Sequence, residues 1–236
     1  ICSDKTGTLT KDEMTVRKVH AAGQMYDVSG AGYDPHGQFS INGGATQPPE
    51  ALRQLLRGAA LASDSHIVHN EADGRWHVKG DPTEGALVVA AAKAGMGKAE
   101  LDRTYPRLEE IPFTSETKRM TTLHRMPEGM VAYSKGAPEI ILDDCTQLMT
   151  AEGEKPLDAA GRAQLLETAQ QMAGQALRVL AVAAKPETSI GLAEHDMTYL
   201  GMLGMIDPPR PEAKAAIETC NEAGIKAGMI TGDHPL

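Results

Sequence analysis

The sequence predicts a mixed fold, α/β and α+β, in which a mainly antiparallel sheet with helices is inserted into an incomplete parallel α/β domain. Three strand-like segments joined by short links occupy residues 108–134, as in an antiparallel meander. Near the start of the chain, Asp4 directly follows a strand-like segment. Near the end, three prolines at residues 208–211 are followed by a helix and then a strand. Because helix then strand is half of a parallel βαβ unit, the two ends of the chain are predicted to share one domain.

The composition is that of a globular protein and excludes several function classes. The 236 residues are 41% hydrophobic and 23% charged, enough to bury a core in one or two domains. A net charge of −9 argues against a nucleic-acid partner, because phosphate binding needs a basic face. Three widely spaced cysteines exclude a disulfide framework. No apolar run approaches the ~20 residues of a membrane helix. The chain opens without an initiator Met, which predicts a segment of a longer protein.

Two helices in the first half of the chain have clear signals. Apolar residues spaced as on one helix face follow a pair of prolines: Leu52, Leu55, Leu56, Ala59 and Ala60. In the second helix Asp81 suits the N-cap position and Pro82 the first helical position. Glu84 then completes an Asp form of the capping box, in which its carboxylate binds back to the N–H of the cap residue. Gly95 ends this helix.

The other elements follow from changes of pattern along the chain. The predicted strands and helices are strand 75–78, strands 108–113, 120–125 and 130–134, helix 138–145, helix 158–176, strands 178–184 and 197–205, helix 212–223 and strand 226–230. Residues 30–49 are predicted as loop and short strand. The predicted domains are a first piece of the α/β domain (1–14), the inserted strand-rich domain (15–206) and a second, truncated piece of the α/β domain (207–236).

Asp4 is the first candidate for chemistry. A carboxylate at the carboxyl end of a parallel strand lies where open α/β sheets bind ligands. Lys5 and the backbone N–H groups around Gly7 could neutralise a phosphoryl group there, and an aspartate nucleophile would form an acyl phosphate. The alternative is a simple strand-end turn, in which Asp and Thr side chains bind local N–H groups.

Residues 1–10, Ile-Cys-Ser-Asp-Lys-Thr-Gly-Thr-Leu-Thr, resemble the phosphorylation motif of P-type ATPases, the ATP-driven cation pumps. The resemblance implies that ATP phosphorylates Asp4 and that Asp4, Lys5 and Thr6 are the catalytic residues. It also implies Mg²⁺ held by Asp4 and Thr6. Thr6 stands where related phosphatases carry a second Asp, and its presence suits an intermediate that must persist.

Further segments resemble the same family and follow its order along the chain. Lys135 and Gly136, in Lys-Gly-Ala-Pro-Glu, resemble a motif that lines the adenosine pocket. Asp207, in Asp-Pro-Pro-Arg, resembles the hinge where the chain leaves the nucleotide-binding domain. A loop resembling the family's phosphate-side loop follows the last predicted strand: Thr231, Gly232 and Asp233.

The inserted domain has four more residues that the resemblance assigns to a nucleotide site. Phe113 would stack on adenine, and Lys118 and Arg178 would supply positive charge, Arg178 toward the phosphates. Glu84 would face the adenine amino group, and this role competes with its role in the capping box. Thr117 occupies a position that is often basic in the family.

The resemblance implies the ATP-binding and phosphorylation segment of a calcium-pump-like ATPase, with a haloacid-dehalogenase-type phosphorylation domain. ATP, Mg²⁺ and a transported cation would be its partners. The segment would lie at the cytoplasmic face of a membrane, held by helices outside this chain, and alone it would only bind nucleotide. Two alternatives stay open: an aspartate-nucleophile phosphatase of the same superfamily, and a non-catalytic nucleotide-binding module. His66 and His69 are predicted to lie in a solvated loop rather than a metal site.

Overall fold

The structure is a computed structural model that describes residues 1–11 and 13–230. The strands are Cys2–Asp4 (β1), Thr15–Ala21 (β2), Gln24–Val28 (β3), Phe39–Ile41 (β4), Gly44–Thr46 (β5), His66–Asn70 (β6), Arg75–Lys79 (β7), Arg107–Ile111 (β8), Arg119–Met126 (β9), Gly129–Gly136 (β10), Cys145–Thr150 (β11), Gly153–Pro156 (β12), Arg178–Pro186 (β13), Met197–Ile206 (β14) and Gly228–Ile230 (β15). The α-helices are Glu50–Leu61 (α1), Pro82–Lys93 (α2), Lys98–Thr104 (α3), Pro138–Asp143 (α4), Ala159–Ala173 (α5) and Pro211–Glu222 (α6). Within these ranges no helix combines the length and apolar composition of a membrane span.

Most of the strands form one large, mainly antiparallel sheet, as predicted. Its order is β5-β4-β3-β2-β14-β13-β10-β9-β8, and β11, with β12 beside it, pairs in parallel with β14. The predicted meander is confirmed, because β8, β9 and β10 are successive neighbours. The register of β9 and β10 runs from Gly129 opposite Met126 to Gly136 opposite Arg119.

Helices cover both faces of this sheet. On one face α1 and α2 pack over β2, β13 and β14, and on the other face α4 and α5 pack over β13 and β14. Val182 of β13 belongs to the first core, whereas its neighbours Ala181 and Ala183 belong to the second. This alternation is the period of two that a strand imposes. The apolar face predicted for α1 is confirmed, since all of its predicted members are fully buried: Leu52, Leu55, Leu56, Ala59 and Ala60.

Helix α1 lies unusually close to the sheet, and this closeness positions the site. A Cβ at Gly58 would lie 2.7 Å from the ring of Tyr133 in β10, so a larger side chain would push the helix away. Two residues after Tyr133 comes Lys135, and three residues after Gly58 the helix ends at Leu61. The carboxyl end of α1 is thereby held beside the end of β10.

A second, small sheet joins the two ends of the chain. β1 pairs in parallel with β15, with Asp4 opposite Ile230. The segment that leads into the large sheet at β2 and the segment that leaves it after β14 are hydrogen-bonded to each other. The N–H of Lys11 donates to the carbonyl of Pro208 (3.1 Å), and the N–H of Arg210 donates to the carbonyl of Leu9 (2.9 Å). Helix α6, between these connections and β15, has no buried residue.

The structure also contains strands that the sequence analysis does not predict. β2 and β3 lie within residues 15–28, for which the sequence pattern gives no assignment. β2 is in the interior of the sheet, and the burial along it does not alternate, so it lacks the period-two signal. The prediction of a loop at His66 and His69 is wrong, because both residues lie on β6, which forms a hairpin with β7.

Candidate functional site

One end of the large sheet collects the site residues predicted within the inserted domain. We call it the rim: the end at which β8 and β10 finish and β9 and β13 begin. Gly136 at the end of β10 is opposite both Arg119, the first residue of β9, and Ala181 near the start of β13. Phe113 follows β8 by two residues, and Arg178 is the first residue of β13. Residues that are far apart in the sequence therefore lie at the same end of the sheet.

Residues 113–118 form an exposed turn between β8 and β9. Phe113 is 59% exposed, whereas the other phenylalanine of the chain, Phe39, is 2% exposed and lies in the core. The turn is closed by the N–H of Lys118, which donates to the carbonyl of Thr114 (2.8 Å). It is also closed by the Thr114 hydroxyl, which accepts from the N–H of Thr117 (3.1 Å) and bonds to the Thr117 hydroxyl (2.8 Å). Phe113 and Lys118, at the two ends of this turn, are thus both exposed to solvent.

Lys118 has a strained backbone that the neighbouring strand holds in place. Its φ angle is +51°, in the left-handed region that lysine seldom adopts. Its carbonyl accepts from the N–H of Ala137 (3.1 Å), and a Cβ at Gly136 would lie only 2.4 Å from that same carbonyl oxygen. Gly136 is therefore required where the turn meets the end of β10, and backbone strain of this kind is concentrated at functional sites.

Lys135 is buried rather than exposed at the strand end. Only 7% of it is accessible. Its ammonium group donates to the carbonyl of Ala62 (2.6 Å), to the carboxylate of Glu84 (2.8 Å) and to the sulfur of Met120 (3.1 Å). Burial lowers the pKa of Lys135, while the carboxylate of Glu84 acts in the opposite direction. A lysine has three N–H donors, and all three are engaged here, so none is left for a ligand.

Glu84 holds this lysine and does not form the predicted capping box. Asp81 does cap α2, since its carboxylate accepts from the N–H of Glu84 (3.1 Å). The predicted bond from the N–H of Asp81 back to the Glu84 carboxylate is wrong. Among the described residues, this carboxylate instead accepts from Lys135 and from the backbone N–H groups of Asp64 (2.7 Å) and Ser65 (3.2 Å). The Ser65 hydroxyl lies 3.4 Å from this carboxylate but has a closer acceptor in the carbonyl of Asp81 (3.0 Å), so one acceptor position of Glu84 stays open.

Two arginines complete the rim. Arg178, exposed at the start of β13, donates to the hydroxyl of Thr83 (3.0 Å) and so ties this strand to the first turn of α2. Arg119 is a residue that the sequence analysis does not assign. Its guanidinium donates to the carboxylates of Asp144 (2.5 Å) and Glu194 (2.6 Å) and anchors the first residue of β9, directly after Lys118. Its position next to a predicted site lysine is the only signal that the sequence offers for it.

Asp4 lies in the small sheet, apart from the elements that form the rim. It is exposed at the carboxyl end of β1, which is followed by a single turn of π-helix, Lys5–Leu9. The side chains of Lys5 and Thr6 are outside the described part of the structure, and so are three other predicted site residues: Thr231, Gly232 and Asp233. What the structure gives here is an exposed carboxylate beside a parallel partner strand whose next residue is Thr231.

Asp207 belongs to the connection between the two sheets rather than to the rim. Its carboxylate accepts from the hydroxyl of Thr10 (2.5 Å) and from the N–H of Glu13 (3.2 Å). The Thr10 hydroxyl in turn accepts from the N–H of Gly7 in the turn that follows Asp4 (3.2 Å). Asp207 is thus bonded, through one side chain, to the segment that starts at Asp4.

The sequence of the chain matches a known protein family. A model of the P-type ATPase cytoplasmic domain N matches residues 51–212, which include every rim residue described above. The chain belongs to this family.

Known relatives extend the match over nearly the whole chain. The cation-transporting ATPase pma1 of Synechocystis is 43% identical over 99% of this chain and 27% of its own length. A calcium-transporting ATPase of Bacillus subtilis is 41% identical over 99% of the chain and 27% of its own length. The calcium-transporting ATPase type 2C member 1 of Bos taurus is 36% identical over 99% and 24%. The chain spans about a quarter of the length of these relatives.

Proposed function

We propose that this N domain binds ATP at the rim, with adenine stacked on Phe113. The observation that carries the proposal is an aromatic side chain 59% exposed in a chain with only two phenylalanines, at the start of the turn that ends at Lys118. Exposing a phenylalanine without a partner leaves apolar surface in water, and stacking on a base recovers about 1–3 kcal/mol. Lys118 and Arg178 are exposed cations at the same rim and suit a polyanionic ligand.

The buried pair beneath this surface has a different task. Lys135 has no donor free, so it acts through its charge and by holding Glu84. The open acceptor position of Glu84 suits the amino group of adenine, which donates hydrogen bonds. Gly136 contributes by allowing the turn of Lys118 to approach β10. Adenine would thus be recognised by a fixed carboxylate, and the phosphates by the exposed cations.

Phosphoryl transfer is the second part of the proposal. Residues 1–14 and 207–236 would form pieces of a haloacid-dehalogenase-type phosphorylation domain, into which the nucleotide-binding domain of residues 15–206 is inserted. One carboxylate oxygen of Asp4 would attack the γ-phosphorus of ATP, giving an aspartyl phosphate and ADP, with Lys5 neutralising charge. Asp207, Thr231, Gly232 and Asp233 would lie on the phosphate side. The support is the exposed position of Asp4 at the carboxyl end of a strand in a parallel pair.

The residues present fit a Mg²⁺ ion that is bound mainly by the nucleotide. Among the described residues no cluster of three or more acidic, histidine or cysteine side chains could hold a metal by itself. Mg²⁺ in phosphoryl-transfer sites is bound through one or two carboxylates together with substrate phosphates. Asp4 would supply one such carboxylate, and Thr6 would add a hydroxyl. The ion would neutralise the charge of the phosphates.

The protein that contains this segment would be an ATP-driven cation pump, with the segment at the cytoplasmic face of its membrane. The support is that relatives about four times as long carry the names of cation- and calcium-transporting ATPases. The cation would be selected outside this segment. An aspartate phosphatase is less well supported, because Thr6 stands two residues after Asp4, where that class needs a second acid.

A calorimetric titration with ATP tests the nucleotide site. We expect the 236-residue chain to bind ATP and Phe113→Ala to bind roughly tenfold more weakly, the loss of one stacked base. Met130→Ala is the matched control, because Met130 is also an exposed apolar residue (42%) but lies at the opposite end of β10. No ATP binding by the parent chain, or equal affinities in all three proteins, would refute the site.

Radioactive phosphate from γ-labelled ATP tests the transfer step in the full-length protein. Acid-stable, hydroxylamine-sensitive label is expected in the parent and absent from Asp4→Asn. Label that persists in Asp4→Asn would exclude Asp4 as the acceptor. Label that never accumulates while phosphate is released would favour the phosphatase alternative.

A further inference from the structure

The carboxyl end of α1 is bound by two cations from different strands. The guanidinium of Arg107, the first residue of β8, donates to the carbonyls of Leu61 (3.0 Å) and Ser63 (3.1 Å). Lys135 donates to the carbonyl between them, that of Ala62 (2.6 Å). The last carbonyls of a helix have no partner within the helix and lie at the negative end of its dipole, so cations bind there favourably.

The residues that follow these carbonyls hold Glu84. The N–H groups of Asp64 and Ser65 donate to its carboxylate at 2.7 and 3.2 Å. Residues 61–65 are therefore a short bridge, with Arg107 bound to its carbonyl side and Glu84 bound to its N–H side. We call Arg107, Glu84, Lys135 and residues 61–65 the buried frame.

Arg107 is itself fixed from two directions. Its Nη1 atom donates to the carboxylate of Asp64 (2.6 Å), on the bridge, and to that of Glu110 (2.6 Å), on its own strand. Four acceptors around one planar guanidinium leave it little freedom, and a lysine with one ammonium group could not reach them all. A change at Arg107 should thus move the bridge, and the bridge sets where the Glu84 carboxylate lies.

We propose that Arg107 is a positioning residue of the nucleotide site, which fixes residues 61–65 and thereby aims the open acceptor position of Glu84 at the nucleobase. The inference rests on the proposed function. It assigns base selectivity, adenine over a base without an amino donor, to an arginine that does not contact the ligand.

The test uses Arg107→Gln and Arg107→Lys in the 236-residue chain, with Arg162→Gln as the matched control. Arg162 is also a half-buried arginine that donates to a backbone carbonyl, that of Cys145 (2.9 Å), but it lies on α5 at the other face of the sheet. Amide hydrogen exchange is measured without nucleotide, and affinity is measured for ATP and for inosine triphosphate, which has a carbonyl in place of the adenine amino group.

Without nucleotide, both Arg107 variants should speed exchange at the N–H groups of Asp64 and Ser65 by roughly tenfold, because Glu84 no longer holds them well. The control should leave them unchanged. With nucleotide, the Arg107 variants should lose several-fold of the preference for ATP over inosine triphosphate. In the double variant Arg107→Gln with Glu84→Gln, the preference should be no lower than in Glu84→Gln alone.

The outcomes separate the two proposals. Unchanged exchange at Asp64 and Ser65, or a preference for ATP that Arg107→Gln and Arg107→Lys retain in full, overturns the positioning role. A loss in the double variant equal to the product of the single losses also overturns it, because Arg107 would then act independently of Glu84. Arg107→Lys keeps the charge and decides the matter if Arg107→Gln does not fold. Absence of ATP binding by the parent chain defeats the proposed function instead, whatever the exchange data show.

Discussion

The buried frame and the exposed turn of residues 113–118 lie at the same rim but are built in opposite ways. In the frame every donor of Lys135 is used, and it and Glu84 expose only 8% and 16% of their side chains. In the turn Phe113 is 59% exposed, and Lys118 has an unfavourable backbone angle. The difference teaches that a binding site combines a rigid part, whose side chains are held by bonds within the protein and leave only one Glu84 acceptor position for the ligand, with a presenting part that is exposed to the ligand.

Removing the ammonium group of Lys135 from the frame should have the largest effect on stability. Lys135→Met leaves the Glu84 carboxylate without its ion-pair partner and the Ala62 carbonyl without a donor, and we expect the free energy of unfolding to fall by about 3 kcal/mol. Phe113→Ala, in the turn, should change it by less than about 0.5 kcal/mol. Urea denaturation measures both.

The control for this comparison is Lys155→Met, which breaks an exposed ion pair with Glu152 and should have no measurable effect. Equal losses from Lys135→Met and Lys155→Met would show that the frame is no more than a surface ion pair.

Acid should have the second-largest effect on stability, through His124, a histidine bonded to the segment that precedes Arg107 of the buried frame. His124 of β9 donates from Nδ1 to the carbonyl of Tyr105 (3.0 Å), in the segment that leads to Arg107, and its Nε2 accepts from the Thr122 hydroxyl (2.9 Å). Burial lowers the pKa of His124 to about 4. Between about pH 6.5 and 4 the unfolded chain binds a proton that the folded chain does not, so stability is lost as the pH falls.

For this one group the loss amounts to about 2 kcal/mol between pH 7 and pH 5. Urea denaturation at pH 7 and pH 5 measures this loss. The difference in unfolding free energy between the two pH values should be smaller in His124→Gln than in the parent by about 2 kcal/mol. His69→Gln, at an exposed histidine of β6, is the control and should keep the parent's pH dependence. A pH dependence that His124→Gln leaves intact would contradict the assignment of a neutral, buried imidazole.

Adding a single methyl group at Gly136, where the end of β10 meets the exposed turn, should lower both stability and ATP affinity. In Gly136→Ala the new Cβ would meet the Lys118 carbonyl oxygen at 2.4 Å and the Arg119 Cα at 2.9 Å, both of them backbone atoms. We expect a loss of about 2 kcal/mol in unfolding free energy, together with weaker ATP binding because the turn is displaced. Gly191→Ala, where a Cβ would meet nothing within 4 Å, should be neutral in both measurements. Normal ATP affinity in Gly136→Ala would show that the position of the turn is irrelevant.

Backbone strain in the turn should give the smallest effect. Lys118 has a φ angle of +51°, which glycine adopts freely and alanine does not. Lys118→Gly should therefore be more stable than Lys118→Ala by about 1 kcal/mol in thermal or urea unfolding. Both variants should bind ATP more weakly than the parent, since both lose the ammonium group. If the glycine variant were the less stable of the two, the strain would not exist.

Sequence reasoning predicts the presenting part of this molecule better than the rigid part. The meander, helices α1 and α2 and the N-cap at Asp81 follow from local periodicity and turn chemistry, and they are confirmed, whereas the short helix α3 is not predicted. Phe113 can be proposed as a ligand contact because its segment resembles the family's adenine-stacking segment and because this rare aromatic residue lies at the end of a predicted strand. By contrast, nothing local to Lys135 signals that Glu84, 51 residues earlier, and the end of α1 will enclose it. Arg107 and Arg119 are missed for the same reason, since their partners are brought close only by the packing of α1 and the order of the strands.

The central claim, that ATP binds across the exposed turn and the buried frame, is tested most directly by mapping amide chemical-shift changes in the isotope-labelled chain during an ATP titration. The account predicts that the largest changes lie in residues 113–118, in residues 135–137 and at Arg178. It would be contradicted by changes centred elsewhere. Two such places are the cavity of about 240 Å³ beside Lys93 and the cavity of about 270 Å³ between Tyr26 and Glu50.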